Sequence, residues 1–212
     1  ISSNNIVADY IATSLKAALN VPDLSQNTPL RMIKKVGVIG AGTMGVGISM
    51  NFANVNIPVT IVEQQKEVLE RGLKVIRTNY QRSADRGRFA RGEVELRMER
   101  ISGALSLDAL NDCDLIIEAV FENMNLKKQI FSELGRVAKQ GAILASNTSA
   151  LDIDEIAAST KRPEDVIGLH FFCPANVMKL LEIVRAEKSS DDVIATAMQL
   201  AQTIDKIAVL VG

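Results

Sequence analysis

From Lys34 onward the apolar positions of the chain switch repeatedly between two periods. Short unbroken apolar runs, KKVGVIG (34–40) and IPVTIVE (57–63), flank TMGVGISMNFANV (43–55), whose apolar residues fall at helical spacing. The exchange continues downstream. DLIIEAV (114–120), AILASNTS (142–149), DVIGLHFF (165–172), MKLLEIV (178–184) and IAVLVG (207–212) read as strands, and NLKKQIFSELGRVA (125–138) and SDDVIATAMQLAQTI (190–204) as helices. Alternation with short connections predicts an α/β domain of Rossmann type, a doubly wound and mostly parallel sheet. Residues 65–100 are helical in pattern, heavily charged and too long for one crossover. They predict a helical pair projecting from the sheet, broken near Gly87 and Gly92. Upstream, Ile6, Val7, Tyr10, Ile11, Leu15 and Leu19 share a helical face, and NVPDLSQNTP (20–29) ends it. Residues 1–30 therefore read either as a linker helix and arm or as an ordinary N-terminal helix packed on its own domain.

Composition narrows the partners. With 24 Lys+Arg against 25 Asp+Glu the charges nearly cancel, so neither nucleic acid nor an anionic membrane is an indicated partner. No apolar run approaches the roughly 18 residues of a bilayer span, and the first residues lack the order of a signal peptide, so an intracellular protein is expected. Cys113 and Cys173 have no second thiol or histidine near either, which predicts no metal site and two free thiols.

The candidate chemistry begins with VGVIGAGTMGVGI. Gly40, Gly42 and Gly45 take the G-x-G-x-x-G spacing directly after an apolar strand and at the start of a helix. Such a loop makes a tight turn at its first glycine, admits a pyrophosphate at its second and packs helix on strand at its third, with the helix N-terminus facing the phosphates. Glu63 ends the next strand, where a carboxylate accepts both hydroxyls of an adenosine ribose and repels a 2′-phosphate. With Gln64 and Gln65 following in place of an arginine, NAD is expected over NADP.

Hydride transfer at an alcohol carbon also moves a proton on its oxygen, so such a domain needs an acid/base group. His170, the one histidine of the chain, ends the strand VIGLH, and ligands of open parallel sheets sit at the carboxyl ends of strands. Glu182 lies inside the apolar MKLLEIV and would hold one ring nitrogen while the other faces substrate. A structural histidine and a surface glutamate form the plainer alternative. Glu118, Glu122 and Lys127, and Ser146, Asn147, Thr148 and Ser149, cluster at further strand ends, where they either orient a substrate oxygen or cap helices.

GVIGAGTMGVGI, EAVFENMNLKKQIF, SNTSALDIDEIA and GLHFFCPANVMKLLEIV, taken in order, closely resemble the NAD-binding domain of 3-hydroxyacyl-CoA dehydrogenases, above all the dehydrogenase part of multifunctional β-oxidation enzymes that carry an enoyl-CoA hydratase. The resemblance spans about residues 33–212 and implies oxidation of an L-3-hydroxyacyl-CoA to the 3-ketoacyl-CoA with NAD⁺. It implies His170 as base, Glu182 as its orienting carboxylate and Ser149 as the serine on the substrate hydroxyl. It places Gly40, Gly42, Thr43, Met44, Gly45, Glu63, Glu122, Lys127 and Asn147 at the cofactor. It also implies that residues 1–30 are the tail of a linker from an absent hydratase half, that residues 31–212 are the NAD-binding domain, and that a helical domain closing over the acyl chain belongs beyond Gly212. These 212 residues alone are then expected to bind NAD but to turn over hydroxyacyl-CoA poorly. Relatives of this kind work in the bacterial cytoplasm, mitochondria or peroxisomes, so the expected location is cytoplasmic for a bacterium and peroxisomal for a eukaryote. Cys173 stands where many relatives have Asn or Ser, next to the histidine. The cations of the helical pair either meet CoA phosphates, as the resemblance implies, or form a solvated, ion-paired surface. Two further readings remain, a dehydrogenase of a smaller 3-hydroxy acid and a non-catalytic NAD-binding module.

Overall fold

The structure, a computed structural model, describes residues 21, 24, 25 and 27–212. The helix expected over residues 4–19 lies outside them. Eight strands form one sheet: β1 (Val36–Ile39), β2 (Val59–Val62), β3 (Ile101–Ala104), β4 (Leu115–Glu118), β5 (Ile143–Ser146), β6 (Val166–Phe171), β7 (Leu180–Val184) and β8 (Ile207–Val211). Six helices are described: α1 (Thr43–Asn54), α2 (Lys66–Asp85), α3 (Glu93–Glu99), α4 (Met124–Val137), α5 (Ile153–Ala157) and α6 (Asp191–Thr203).

The spatial order is β3-β2-β1-β4-β5-β6-β7-β8, parallel throughout except that β7 runs antiparallel to β6. The chain steps from β1 to β2 in one direction and to β4 in the other. The loop after β1 therefore sits at the switch point of the sheet, where the ends of neighbouring connections diverge and leave a crevice. Strands β1, β2, β4 and β5 are buried at every position, which is why they read as continuous apolar runs rather than alternating ones. Two cores form, one around Phe52, Ile61, Ile76 and Tyr80, the other around Phe131, Leu134, Leu144 and Ile156.

Two sequence expectations need correction. Ile101–Ala104 adds an edge strand that the apolar pattern did not predict, because ISGA offers one β-branched residue; pairing with β2 carries it, aided by a Thr60–Ser102 hydroxyl contact of 3.2 Å. Glu118, expected at a strand end to orient substrate or cap a helix, is the last residue of β4 and fully buried. The helical pair α2 and α3 breaks where expected, across Gly87–Gly92. Its inner face, Leu69, Ile76, Tyr80, Ala84 and Val94, is buried in the main core, and its outer face carries the charges.

The segment ahead of β1 is tied down. Val21 and Leu24 pack against the main core. The Arg31 guanidinium forms ion pairs with Asp192 at 2.7 Å and Asp165 at 2.5 Å, joining the segment to α6 and the start of β6. A planar guanidinium suits this double carboxylate contact better than an ammonium does.

Candidate active site

The glycine loop follows β1 into α1. Gly40 takes φ +101°, and a Cβ there would lie 2.8 Å from the Ala119 carbonyl oxygen at the end of β4. At Gly45 a Cβ would lie 1.9 Å from the Gly40 carbonyl oxygen, so only glycine permits the helix to start this close to the strand. Gly42 differs. It is exposed, has φ −76°, and a Cβ on it would meet nothing within 4 Å. Open space beside a helix N-terminus that no side chain caps is the cradle a pyrophosphate requires. Thr43 and Met44 form the first turn of α1 at this opening, Thr43 exposed and Met44 half-buried. The Glu63 carboxylate reaches back to the loop, accepting from the Ala41 N–H and the Gln65 N–H, each at 3.3 Å. These residues fit an adenine dinucleotide.

At the other side of the crevice β6 ends. His170 and Glu182 are direct cross-strand partners in the β6–β7 ladder, which sends both side chains to one face. Nδ1 of His170 lies 2.8 Å from Oε2 of Glu182. The carboxylate accepts the Nδ1 proton, and among the described residues Nε2 has no hydrogen-bond partner. Both side chains are partly exposed, 18% and 35%. Phe172 packs against the imidazole with ring centroids 4.5 Å apart. The segment after His170, which contains a cis Cys173–Pro174 bond, then lies on α1. A Cβ on Gly47 would come within 3.0 Å of Ala175, and the Ala175 carbonyl accepts from Asn51 Nδ2 at 3.0 Å and from the buried Lys206 ammonium at 2.7 Å. The histidine segment and the helix of the glycine loop are thereby held together.

Between the two lies the loop after β5. Asn147 Oδ1 accepts from the Phe171 N–H at 2.9 Å, locking the loop to β6 beside His170. Thr148 Oγ1 accepts from the Leu151 N–H at 3.0 Å and donates to Glu122. Ser146 Oγ donates to Glu118 at 2.7 Å. Of these four polar side chains, the Ser149 hydroxyl alone has no protein partner among the described residues, and Ser149 is exposed. Burial works to raise the Glu122 carboxyl pKa, but the Thr148 hydroxyl, the Ser149 N–H and the Lys127 ammonium outweigh it and hold the group below the usual carboxylate range.

The family model described as "3-hydroxyacyl-CoA dehydrogenase, NAD binding domain" matches residues 35–212. The chain belongs to this family. It is 50% identical over 183 residues, 86% of its length, to the peroxisomal bifunctional enzyme of Cavia porcellus, and 40% identical over 204 residues to a peroxisomal fatty acid beta-oxidation multifunctional protein of Arabidopsis thaliana. It covers 25% and 28% of those two proteins, so it spans about a quarter of the length of the curated relatives it matches. Among solved structures it is similar to the dehydrogenase part of multifunctional enzyme 1 from C. elegans, with TM-score 0.84 and 32% identity over 97% of this chain and 48% of that one. It is also similar to 3-hydroxybutyryl-CoA dehydrogenase from Escherichia coli K12, with TM-score 0.83 and 34% identity over 85% of this chain and 38% of that one.

Membership of this NAD-binding family agrees with the cofactor expected from Glu63 and the glycine loop. The Cavia porcellus and Arabidopsis thaliana relatives are peroxisomal, and no described helix is long and apolar enough to cross a membrane. Among the described residues no group of His, Cys, Asp and Glu could hold a metal, Cys113 is buried and Cys173 exposed, and neither is in a disulfide. Burial pushes the Cys113 thiol up to about 11, which leaves it protonated and inert.

Lys127, expected at the cofactor, has a side chain 1% exposed, and its ammonium lies between the carboxylates of Glu118 and Glu122. Gly47, Asn51 and Lys206 are structural contributors that the sequence pattern does not mark. Glu118, expected at a strand end, carries a further signal of burial as an acid inside the apolar run DLIIEAV.

Proposed function

We propose that residues 31–212 form the dehydrogenase unit of a longer β-oxidation protein that oxidises an L-3-hydroxyacyl-CoA to the 3-ketoacyl-CoA, in the peroxisome if the host is a eukaryote. The observation that carries this reading is the His170–Glu182 pair, 2.8 Å apart at a strand end whose following segment packs on the glycine-loop helix. Bound NAD⁺ supplies the hydride acceptor. His170 takes the hydroxyl proton at Nε2 as the carbon–oxygen bond gains double-bond character. Glu182 holds the Nδ1 proton, fixes the ring orientation and offsets the charge of the imidazolium that forms. Ser149 Oγ, without a partner among the described residues, donates to or accepts from the substrate oxygen and orients it. The first turn of α1, with Gly42, Thr43, Met44 and the close-packed Gly40 and Gly45, holds the pyrophosphate. Glu63 exchanges its two long loop bonds for the ribose hydroxyls. The free edge of Asn147 and the fixed Glu122 border the same space.

Steady-state assays on the full-length protein test this reading. NADH formation is expected from the S enantiomer of 3-hydroxybutyryl-CoA and not from free 3-hydroxybutyrate. NADP⁺ is expected to be poorer than NAD⁺ by about tenfold or more in kcat/KM, since a 2′-phosphate would face the Glu63 carboxylate. Equal rates with the free acid would favour the smaller-substrate reading instead.

A further inference from the structure

The segment that joins β6 to β7, residues 172–179, closes the hairpin whose strands carry His170 and Glu182, and a buried lysine from outside the hairpin holds it. Asp205 takes φ +58°, which turns the chain tightly from α6 into β8 and brings Lys206 against this segment. Lys206 is 7% exposed. Its ammonium donates to the Ala175 carbonyl at 2.7 Å and to the Met178 carbonyl at 2.6 Å. Both acceptors are neutral, and the neighbouring Asp205 carboxylate is paired with Lys179 instead. Burial, joined by the Lys179 ammonium, holds the Lys206 pKa below the usual lysine value, and Asp205 offsets only part of that. A buried cation without a carboxylate of its own costs stability, so packing alone does not account for it.

From the other side, Asn51 Nδ2 donates to the same Ala175 carbonyl at 3.0 Å, and Gly47 leaves room for Ala175 to lie on α1. The glycine-loop helix, the turn into β8 and the histidine segment thus meet at Ala175. Within the segment the Val177 and Met178 N–H groups both donate to the Pro174 carbonyl, at 2.9 and 3.0 Å, so the two carbonyls that Lys206 holds belong to one tight turn. At its start Phe172 packs on the imidazole.

We propose that Lys206 is a positioning residue: by holding the Ala175 and Met178 carbonyls it fixes the 172–179 segment against α1, and so sets the His170 imidazole relative to the dinucleotide cradle at the start of that helix. The anchor point is remote from the cradle, since Asn51 lies eight residues, about 12 Å of helix, beyond Thr43. Lys206 therefore acts through the segment. Its leverage is geometric, because a displacement of about 1 Å at a reacting group costs up to about 100-fold in rate.

The kinetic part of this proposal rests on the dehydrogenase reading; the anchoring of the segment does not. Lys206→Met and Lys206→Arg are compared with the parent in the full-length protein by melting temperature, NADH titration, amide exchange and steady-state rates. In Lys206→Met the loss of two charge-assisted bonds is set against relief of a desolvated charge, so its melting temperature is expected within about 5 °C of the parent. The Val177 and Met178 amides are expected to exchange about tenfold or more faster. NADH affinity stays within about threefold, and kcat falls by about tenfold or more with KM for NAD⁺ little changed. Lys206→Arg keeps its donors, and a cavity of about 160 Å³ lined by Asn51, Asn54, Asn176, Val177, Asp205 and Lys206 gives the larger group room. Its kcat is expected to return to within about threefold of the parent. Asn51→Leu frees the same carbonyl from the α1 side, and its faster exchange and lower kcat decide the matter if Lys206→Met does not fold. Unchanged exchange at Val177 and Met178 overturns the anchoring. Faster exchange with kcat unchanged, or a loss of kcat that a folded Lys206→Arg does not reduce, overturns the positioning role. A fall in NADH affinity of about tenfold or more in Lys206→Met also overturns it, since the lysine would then support the cofactor cradle and not the base. Failure of the parent protein to oxidise any hydroxyacyl-CoA would sink the dehydrogenase reading, and the exchange comparison would still decide the anchoring.

Discussion

Alanine in place of His170 is expected to lower kcat for hydroxyacyl-CoA oxidation by about 100- to 10,000-fold, the usual contribution of a positioned general base. NADH affinity is expected to stay within about twofold, because the imidazole lies at the end of β6 and the dinucleotide cradle is formed by β1, α1 and Glu63. The fold should tolerate the change. The imidazole is partly exposed, its one strong partner is Glu182, and that carboxylate is 35% exposed and can be hydrated once the ring is gone. Melting temperature, an NADH titration and steady-state rates on the purified full-length variant check all three parts. A non-catalytic NAD-binding module predicts a parent rate already at background, so the substitution would change nothing. A loss confined to KM would make His170 a binding residue and leave the proton without an acceptor.

The second large effect separates two glycines three residues apart. Gly45→Ala forces a methyl group to 1.9 Å from the Gly40 carbonyl oxygen and 3.0 Å from its carbon. Both contacts are backbone, so no side chain can rotate away, and the start of α1 must lift off β1. Overpacking of this kind costs about 3 kcal/mol or more, which corresponds to a fall in melting temperature on the order of 6–12 °C for a domain of this size, with NADH binding lost. Gly42→Ala meets nothing within 4 Å and keeps an ordinary φ of −76°. Its melting temperature should fall within about 2 °C of the parent. Yet the added methyl stands in the opening where the pyrophosphate approaches, and NADH affinity should drop by about tenfold or more. Thermal melts beside NADH titrations on both variants give the result. If Gly42→Ala binds NADH normally, the pyrophosphate does not lie against residue 42.

The Rossmann architecture was legible because β1, β2, β4 and β5 are buried on both faces and carry almost nothing but apolar residues. The pairing of His170 with Glu182 was legible for a related reason. Each lies in an apolar strand, and antiparallel register dictates that residues directly opposed share a face. Ile101–Ala104 was not legible, since its strand character comes from a neighbour's hydrogen bonds rather than from its own side chains. The burial of Lys127 has a tertiary cause. Spacing placed it about one turn into α4, but which way an ammonium points depends on whether an unpaired carboxylate lies beneath it. Glu118 supplies that carboxylate from another element. The logic that singled out Glu182, an acid inside an apolar strand, applied to Glu118 with equal force and would have marked the buried pair. The roles of Ser146, Asn147 and Thr148 emerged only from three dimensions, where each side chain finds a different partner and, of the four, only the Ser149 hydroxyl has none among the described residues.

The central claim is that His170 and the glycine loop together serve hydride transfer from carbon 3 of an acyl-CoA. Incubating the full-length protein with NAD⁺ and (S)-3-hydroxybutyryl-CoA carrying deuterium at carbon 3, then weighing the recovered NADH by mass spectrometry, tests it most directly. The account predicts NADH heavier by one deuterium, formed by the parent and almost absent with His170→Ala. NADH without the label, or no NADH from the parent protein at all, would contradict it.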